Sequence, residues 1–533
     1  MVSATYDLYI DSGRDDQFAT NITSYLMEFD IKLGMDKPYS HMANITTAEF
    51  KVDNSGQKFS PAHANVLSGY GVGCPIRFRM TYSTTEIHFV GWVVEPEIDP
   101  FNTGEQLATI NCEGLLRRYK ESPAYIELQN SIHVDEAVKL LIQAAKIRPP
   151  GYPGWVLGHP YYSRLGETTK LSSVDNYTII DDGNSRSLWL TQYGVDLPDN
   201  LYDALAELAE ADRGYFWMNR EGIAEYWPRT KIVNNLTAAV DLAEPDIQMS
   251  TDPVYQWIPT KVNRVTLRIT AKELGTSQTV VGSSDRDIKF SPGDTVNITI
   301  PFEIDGEKIG AYEVQNINAT YDFTATATHT WKNKTVSFDL GDLVIPTSTI
   351  YADRIEISFD CTSSAIPTNY SNYLIQNLQV RGKPIYIRKN EDIAYQDDTD
   401  IATSNVFPFN EVSKLITDAD FAQEWAIDLV NSRKDDRGLF LEVTISANRD
   451  ATLMAFVRDI NVSNRVSITD TEQTGEDTTE YYIIGYHEWS ENSMSVHYVT
   501  LYLEPVPPQR WVLGDANYSK LGVTTTLALT DGA

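Results

Sequence analysis

His487, Glu488 and His497 are the residues whose types could do acid–base chemistry or hold a metal, since imidazole and carboxylate groups on adjacent strands can share a proton or a cation. In His487-Glu488-Trp489-Ser490-Glu491, however, Glu stands where the HExxH motif needs its second His, so a structural strand pair is the better reading. No GxSxG nucleophile elbow occurs. Gly69-Tyr70-Gly71-Val72-Gly73 alternates glycine but lacks a following Lys-Ser/Thr, and reads as a turn instead of a phosphate cradle. Adjacent carboxylates stand at Asp15-Asp16, Asp181-Asp182, Asp397-Asp398 and Asp435-Asp436. Glycoside hydrolysis needs two carboxylates about 5–10 Å apart across a cleft, which neighbouring loop residues do not predict. Asp397-Asp398-Thr399-Asp400 could offer oxygens to Ca²⁺, yet it lacks the spaced Asx-Gly-Glu pattern and reads as an acidic loop. The sequence thus assigns no catalytic, cofactor-binding or metal-binding residue.

Composition narrows the classes further. Lys+Arg number 43 against 74 Asp+Glu, a formal net charge of −31. Such a surface repels phosphate backbones and anionic lipid. The charge serves solubility, or it lines a passage that DNA crosses without sticking. Cys74, Cys112 and Cys361 are far apart and form no CxxC pair, so neither a disulfide framework nor a zinc site is expected. The start, Met1 to Asp16, has no basic and apolar leader pattern, and no apolar run approaches the roughly 18 residues of a membrane span. Without a secretory route, the glycosylation sequons at Asn21, Asn44 and Asn235 are chance matches.

The elements that would position any site are mostly strands. An aromatic content of 11%, including 30 Tyr, suits pleated half-buried surfaces. Ile76-Arg77-Phe78-Arg79-Met80 alternates, as does part of Ile87 to Trp92. Val134, Ala137, Val138, Leu141, Ile142 and Ala145 make one helical face, and Leu201, Ala204, Leu205, Leu208 and Ala209 another. A hairpin follows, Tyr215–Met218 against Ile223–Trp227, with Gly222 at the positive-φ position. Asp305-Gly306 signals another hairpin, and Phe421, Trp425 and Leu429 mark a third helix over 417–433 that gives way to strands up to about 505. The expected fold class is mainly β with α+β elements, in several domains. These are a barrel over 1–130, an α+β domain over 131–240 with a loop-rich insert at 151–195, and a β-rich domain over 241–405. A helix plus second barrel over 406–505 and a tail module over 506–533 complete the chain.

That tail module repeats an earlier segment. Residues 511–527 match 155–171 at eleven of seventeen positions, including Trp155/Trp511 and Tyr162/Tyr518. Aromatic pairs on a short portable element suit packing or contact with a neighbouring subunit, so Trp155, Tyr162, Trp511 and Tyr518 are the candidate contact residues.

Other segments resemble a known family. Asn21-Ile22-Thr23-Ser24-Tyr25, Leu33-Gly34-Met35-Asp36, Thr47 to Asn54, Lys58-Phe59-Ser60-Pro61, Gly73 to Arg77 and Phe89 to Val93 are similar to the opening of phage tail-tip or baseplate hub proteins of the minor tail protein type. The helix–hairpin from Leu201 to Trp227 and the ending Trp511 to Asp515 with Tyr518-Ser519 resemble the same family. The turn Asn54-Ser55-Gly56-Gln57-Lys58 departs from the family pattern at Gln57 and Lys58. The resemblance implies tandem tail-tube-like β-barrels and a non-enzymatic subunit in the virion tail tip, assembled in the host bacterial cytoplasm. It also implies a homotrimeric ring of pseudo-sixfold symmetry around an acidic DNA passage, without cofactor or membrane insertion. Implied partners are the distal tail or tube protein, the tape measure protein, and tail fibre or receptor-binding proteins. Two other classes stay open: a carbohydrate-binding adhesin or depolymerase stacking sugars on Trp155, Tyr162, Trp511 and Tyr518, and an extracellular enzyme.

Overall fold

The computed structural model describes most of residues 2–506; the larger stretches outside the description are 99–105, 148–177, 181–186, 189–199, 229–237, 248–253, 471–475 and 507–533. The fold is mainly β, in several sheets. It opens with β1 (Thr5–Ile10), β2 (Leu26–Gly34), β3 (Thr47–Asp53), β4 (Pro75–Tyr82), β5 (Thr84–Ile98) and β6 (Leu107–Glu113). Their alternation is what makes them strands: in β4, Ile76, Phe78 and Met80 are buried while Arg77 and Arg79 face outward. The turn after β3 holds an aromatic plug. Asn54 Oδ1 accepts from Phe59 N at 2.9 Å, and the buried Phe59 ring meets Tyr25 and Tyr70 edge-on at 5.4 Å each. Gln57, not the neighbouring glycine, takes the left-handed conformation there, with φ 56°.

Next come α1 (Val134–Ala145) and α2 (Leu201–Asp212), whose expected apolar faces are buried against each other and in the main core. Asn200 caps α2 by accepting from Asp203 N at 2.9 Å. β7 (Tyr215–Met218) and β8 (Ala224–Trp227) form the expected hairpin, with Gly222 at φ 77°. β9 (Ala238–Ala243), β10 (Val254–Trp257) and β11 (Arg264–Leu274) follow. Shorter strands over 279–376 wrap a second core of Val281, Phe302, Phe323, Ile357, Phe359 and Ile375. Asp305 and Gly306, at φ 54° and 82°, make the hairpin turn read from the sequence. The 19-residue β12 (Leu378–Gln396) joins the two cores, since Leu378 and Val380 lie in the second while Ile393 and Tyr395 pack on the first.

The chain then returns to the main core through β13 (Pro408–Ser413), α3 (Ala419–Arg433), β14 (Gly438–Ser446), α4 (Ala451–Asp459), β15 (Arg465–Asp470), β16 (Glu476–Glu491) and β17 (Val496–Pro505). The expectation of strands alone after α3 is corrected by α4. Its Leu453, Met454, Phe456 and Val457 make one buried face, and Asp450 caps it by accepting from Thr452 N and Leu453 N at 2.7 and 2.9 Å. Asp450→Ala should cost about 1 kcal/mol, read as a lowered urea midpoint at unchanged slope; an unchanged midpoint would show that the cap is dispensable.

One hydrogen-bonded sheet unites both ends of the chain. Its N-terminal half runs β2-β3-β6-β5-β4-β1 and its C-terminal half β10-β14-β17-β16-β15-β9. These are the same arrangement. In each half, the strand order first–fourth–third–second describes β3, β4, β5, β6 and β14, β15, β16, β17 alike, every neighbour antiparallel. The registers also coincide. Trp92 opposes Pro75 and Glu113 as Tyr482 opposes Arg465 and Glu504, while Phe50 opposes Ile110 as Val443 opposes Leu501. Even the irregularity recurs, between Val93 and Glu95 in β5 and between Ile483 and Gly485 in β16. β10 flanks β14 as β2 flanks β3. The halves are joined where β2 pairs antiparallel with β16, from Asp30↔Trp489 to Gly34↔Gly485.

Candidate functional site

The weighed pair His487 and His497 does not come together. Successive strand residues point to opposite faces. His487 therefore faces away from Glu488, and its Nε2 lies 2.8 Å from Asp30 Oδ2. His497, on β17, stands on the Glu488 side. Sequence reasoning missed the other partners, His88 on β5 and Tyr6 on β1, which are hundreds of residues away in the chain.

These four side chains form one buried chain of contacts. Arg220 Nη1 lies 3.2 Å from His88 Nε2, and as a guanidinium can only donate. His88 then carries its proton on Nδ1, 2.9 Å from both Glu488 oxygens. On the other side, Tyr6 OH lies 2.9 Å from His497 Nδ1, and His497 Nε2 lies 2.9 Å from Glu488 Oε1. The Arg220 cation also donates to the Arg458 carbonyl. Burial pulls His88 below its ordinary value despite the neighbouring Glu488. Burial alone would raise Glu488, but His88 and His497 outweigh it and hold the carboxyl below the usual range. Aromatic rings wall the group, with Phe29 and Phe78 centroids 4.6 Å apart and Phe29 5.4 Å from His497.

Such a chain could relay a proton, yet His88, Glu488 and His497 are all fully buried, so no substrate can reach it. Its geometry does something else. Tyr6 and His88 belong to the N-terminal half, Glu488 and His497 to the C-terminal half, and the network pins the two together.

A second polar cluster sits at the far end of β17. Glu504 accepts from Tyr215 OH and, at 2.5 Å, from Tyr39 N, while the Arg433 guanidinium lies 3.7 Å from the Tyr39 ring centre. Nearby, His41 Nδ1 donates to Gly214 O at 2.9 Å. Burial, reinforced by Arg213 and Arg433, pushes His41 down to about 3. The unfolded chain takes up this proton near pH 6.5 and the folded chain does not, so stability falls as pH drops from about 6.5 toward 3. Each proton of difference is a slope of about 1.4 kcal/mol per pH unit. His41→Gln should flatten the dependence of the urea midpoint between pH 6 and 4 by that much, and parallel curves for both proteins would rule the assignment out.

Asp397 and Asp400 prove to be a structural joint. Asp397 caps the short helix Asp398–Ser404 and bonds Lys434 Nζ at 2.8 Å, while Asp400 bonds Lys261 Nζ at 2.9 Å and Asn263 Nδ2 at 2.7 Å. Among the described residues no group of three His, Cys, Asp or Glu side chains is arranged to hold a metal ion. The Gly69–Gly73 segment is the expected turn, and a Cβ on Gly69 would meet Ser12 O at 2.1 Å. A cavity of about 110 Å³ lined by Glu207, Glu210, Glu411 and Trp425, and an open depression of about 480 Å³ lined by Gln315, Asn318, Asp322 and Arg381, bring no histidine or cysteine to their walls. Trp155, Tyr162, Trp511 and Tyr518 lie outside the described residues, as do Asp181-Asp182 and Asp435-Asp436.

No family model matches the chain, and no curated protein matches it in sequence. Solved structures do. The tail protein from Neisseria meningitidis MC58 is 9% identical, with a TM-score of 0.47 over 94% of this chain and 96% of that one. The 43 kDa tail protein of prophage MuSo2 from Shewanella oneidensis is 10% identical, with a TM-score of 0.44 over 94% and 98%. Prophage tail protein gp18 from Listeria monocytogenes EGD-e is 7% identical, with a TM-score of 0.41 over 93% and 94%. The chain is similar to phage tail proteins.

Proposed function

We propose that this chain is a non-enzymatic structural subunit of a phage tail tip, a hub that closes the tail tube. The observation that carries the reading is the register-for-register repetition of the two sheet halves within one chain. A subunit with two equivalent units can meet a ring of six with three copies, because symmetric assemblies close when each interface repeats. In this reading the barrel over 1–130 and the one over 406–505 are the ring-forming units, and the α+β segment 131–240 braces them. The repeated aromatic pairs Trp155/Tyr162 and Trp511/Tyr518 serve as contacts to neighbouring subunits. The partners are the tube or distal tail protein, the tape measure protein and tail fibre or receptor-binding proteins. A net charge of −31 keeps DNA from adhering as it passes.

Electron microscopy of particles labelled on this chain tests the proposal. Three copies at the tail tip, arranged as a pseudo-sixfold ring at the end of the tube, are expected. A chain absent from particles, or monomeric at high concentration in solution, would overturn it.

A further inference from the structure

The two halves of the sheet are equivalent in fold but not in what their edges meet, and the difference identifies an intermolecular joint. Within the chain, the C-terminal half of β16 carries two neighbours: β17 on one edge, and β2 on the other from Gly485 to Trp489. Register matching makes Glu95 to Ile98 of β5 the counterpart of Gly485 to Glu488. There β6 pairs on one edge, and among the described residues no strand pairs on the other, because β4 begins at Pro75, opposite Trp92. Val94 and Ile98 in this arm are 36% and 40% exposed.

The complementary edge is equally identifiable. β10 is the counterpart of β2: Val254 opposes Glu442 on β14 as Asp30 opposes Glu49 on β3, so Val254–Trp257 corresponds to the part of β2 that docks on β16. Among the described residues β10 is the outermost strand at its end of the sheet.

We infer that β10 of one copy pairs antiparallel with the β5 arm, Glu95–Ile98, of the next copy, repeating between chains the β2–β16 joint made within each chain. The occupant is a second copy because the internal joint already displays the fitting edge. The joint is head-to-tail, which generates a ring when the rotation closes. Matching registers place Gln256 opposite Pro96. Pro96 has no N–H, so this ladder has one donor fewer than the internal one. The inference rests on the ring-forming reading above and adds the edges that make the ring.

The full-length chain with Pro96→Cys and Gln256→Cys tests it, since directly opposed strand residues lie within disulfide reach. Mild oxidation should link copies into a covalent ladder ending at the ring size, whereas Gln256→Cys alone should stay uncross-linked. Independently, Ile98→Asp on the exposed arm should leave circular dichroism unchanged and lower the ring fraction in sedimentation at least tenfold. Rings that form but neither cross-link nor respond to Ile98→Asp would overturn the joint while leaving the hub reading intact. A chain that stays monomeric at high concentration would overturn both.

Discussion

Glu488→Ala is expected to destabilise the protein by about 3–5 kcal/mol, because it strands the buried partners that face its carboxylate. Glu488 is fully buried and faces His88 and His497 at 2.9 Å each, with Arg220 behind His88. Removing the carboxylate leaves two imidazoles without an acceptor and a cation without its counter-charge. The loss should read as a lower urea midpoint, with earlier proteolysis between the halves that the network joins. Replacing the set together, Tyr6→Phe, His88→Phe, Glu488→Leu and His497→Phe, should recover much of the loss, since it also removes the groups that the single change strands and leaves Arg220 its bond to the Arg458 carbonyl. A cost below about 1 kcal/mol for Glu488→Ala would refute the bracing role. Acid acts on the same group. His88 is held low by burial, so the folded chain resists the proton that the unfolded chain accepts near pH 6.5. Glu488 is held low by its imidazoles, so its contribution is present above the ordinary carboxylate range and is lost as pH falls through its lowered value. Both effects weaken the fold in the same direction, toward acid.

Gly485→Val should be at least as severe, and through backbone instead of charge. Where β2 meets β16, Gly34 and Gly485 are directly opposed. A Cβ on Gly485 would lie 2.3 Å from Met35 O and 2.7 Å from Met35 N, both main-chain atoms that cannot rotate aside. Gly34 has a φ of 89°, and its own Cβ would lie 2.5 Å from Gly485 Cα. Relief requires the two strands to part, which breaks the only strand pairing between the halves among the described residues. The expected result is a loss of more than about 4 kcal/mol or failure to fold, at the extreme of single-substitution effects. Insoluble or protease-sensitive protein on expression checks it, and a soluble variant melting within a few degrees of the parent would contradict it.

The sequence by itself determined the local elements and the class. Apolar residues at helical spacing specified α1 and α2, alternation specified β4, and Asp305-Gly306 and Gly222 specified their turns, because each signal is complete within a dozen residues. The acidic balance and the missing nucleophile motifs pointed away from nucleic-acid binding and from familiar catalysis. Helix α4 escaped because its nine residues mix β-branched and aromatic side chains, and its cap is legible only once the preceding strand is known to end at Ser446.

Tertiary structure alone decided the rest. Trp92 to Ile98 and Tyr482 to Glu488 share no identical residue, yet they hold the same register and the same irregularity, because pairing is set by backbone hydrogen bonds and by which face is buried. A repeat of that kind leaves little trace in residue identities. His88 and Tyr6 reach Glu488 and His497 across separations of 400 and 491 residues, distances over which no spacing rule operates. Only the closing of one sheet through β2 and β16 brings those groups to one place, and it does so because two glycines let the strands approach.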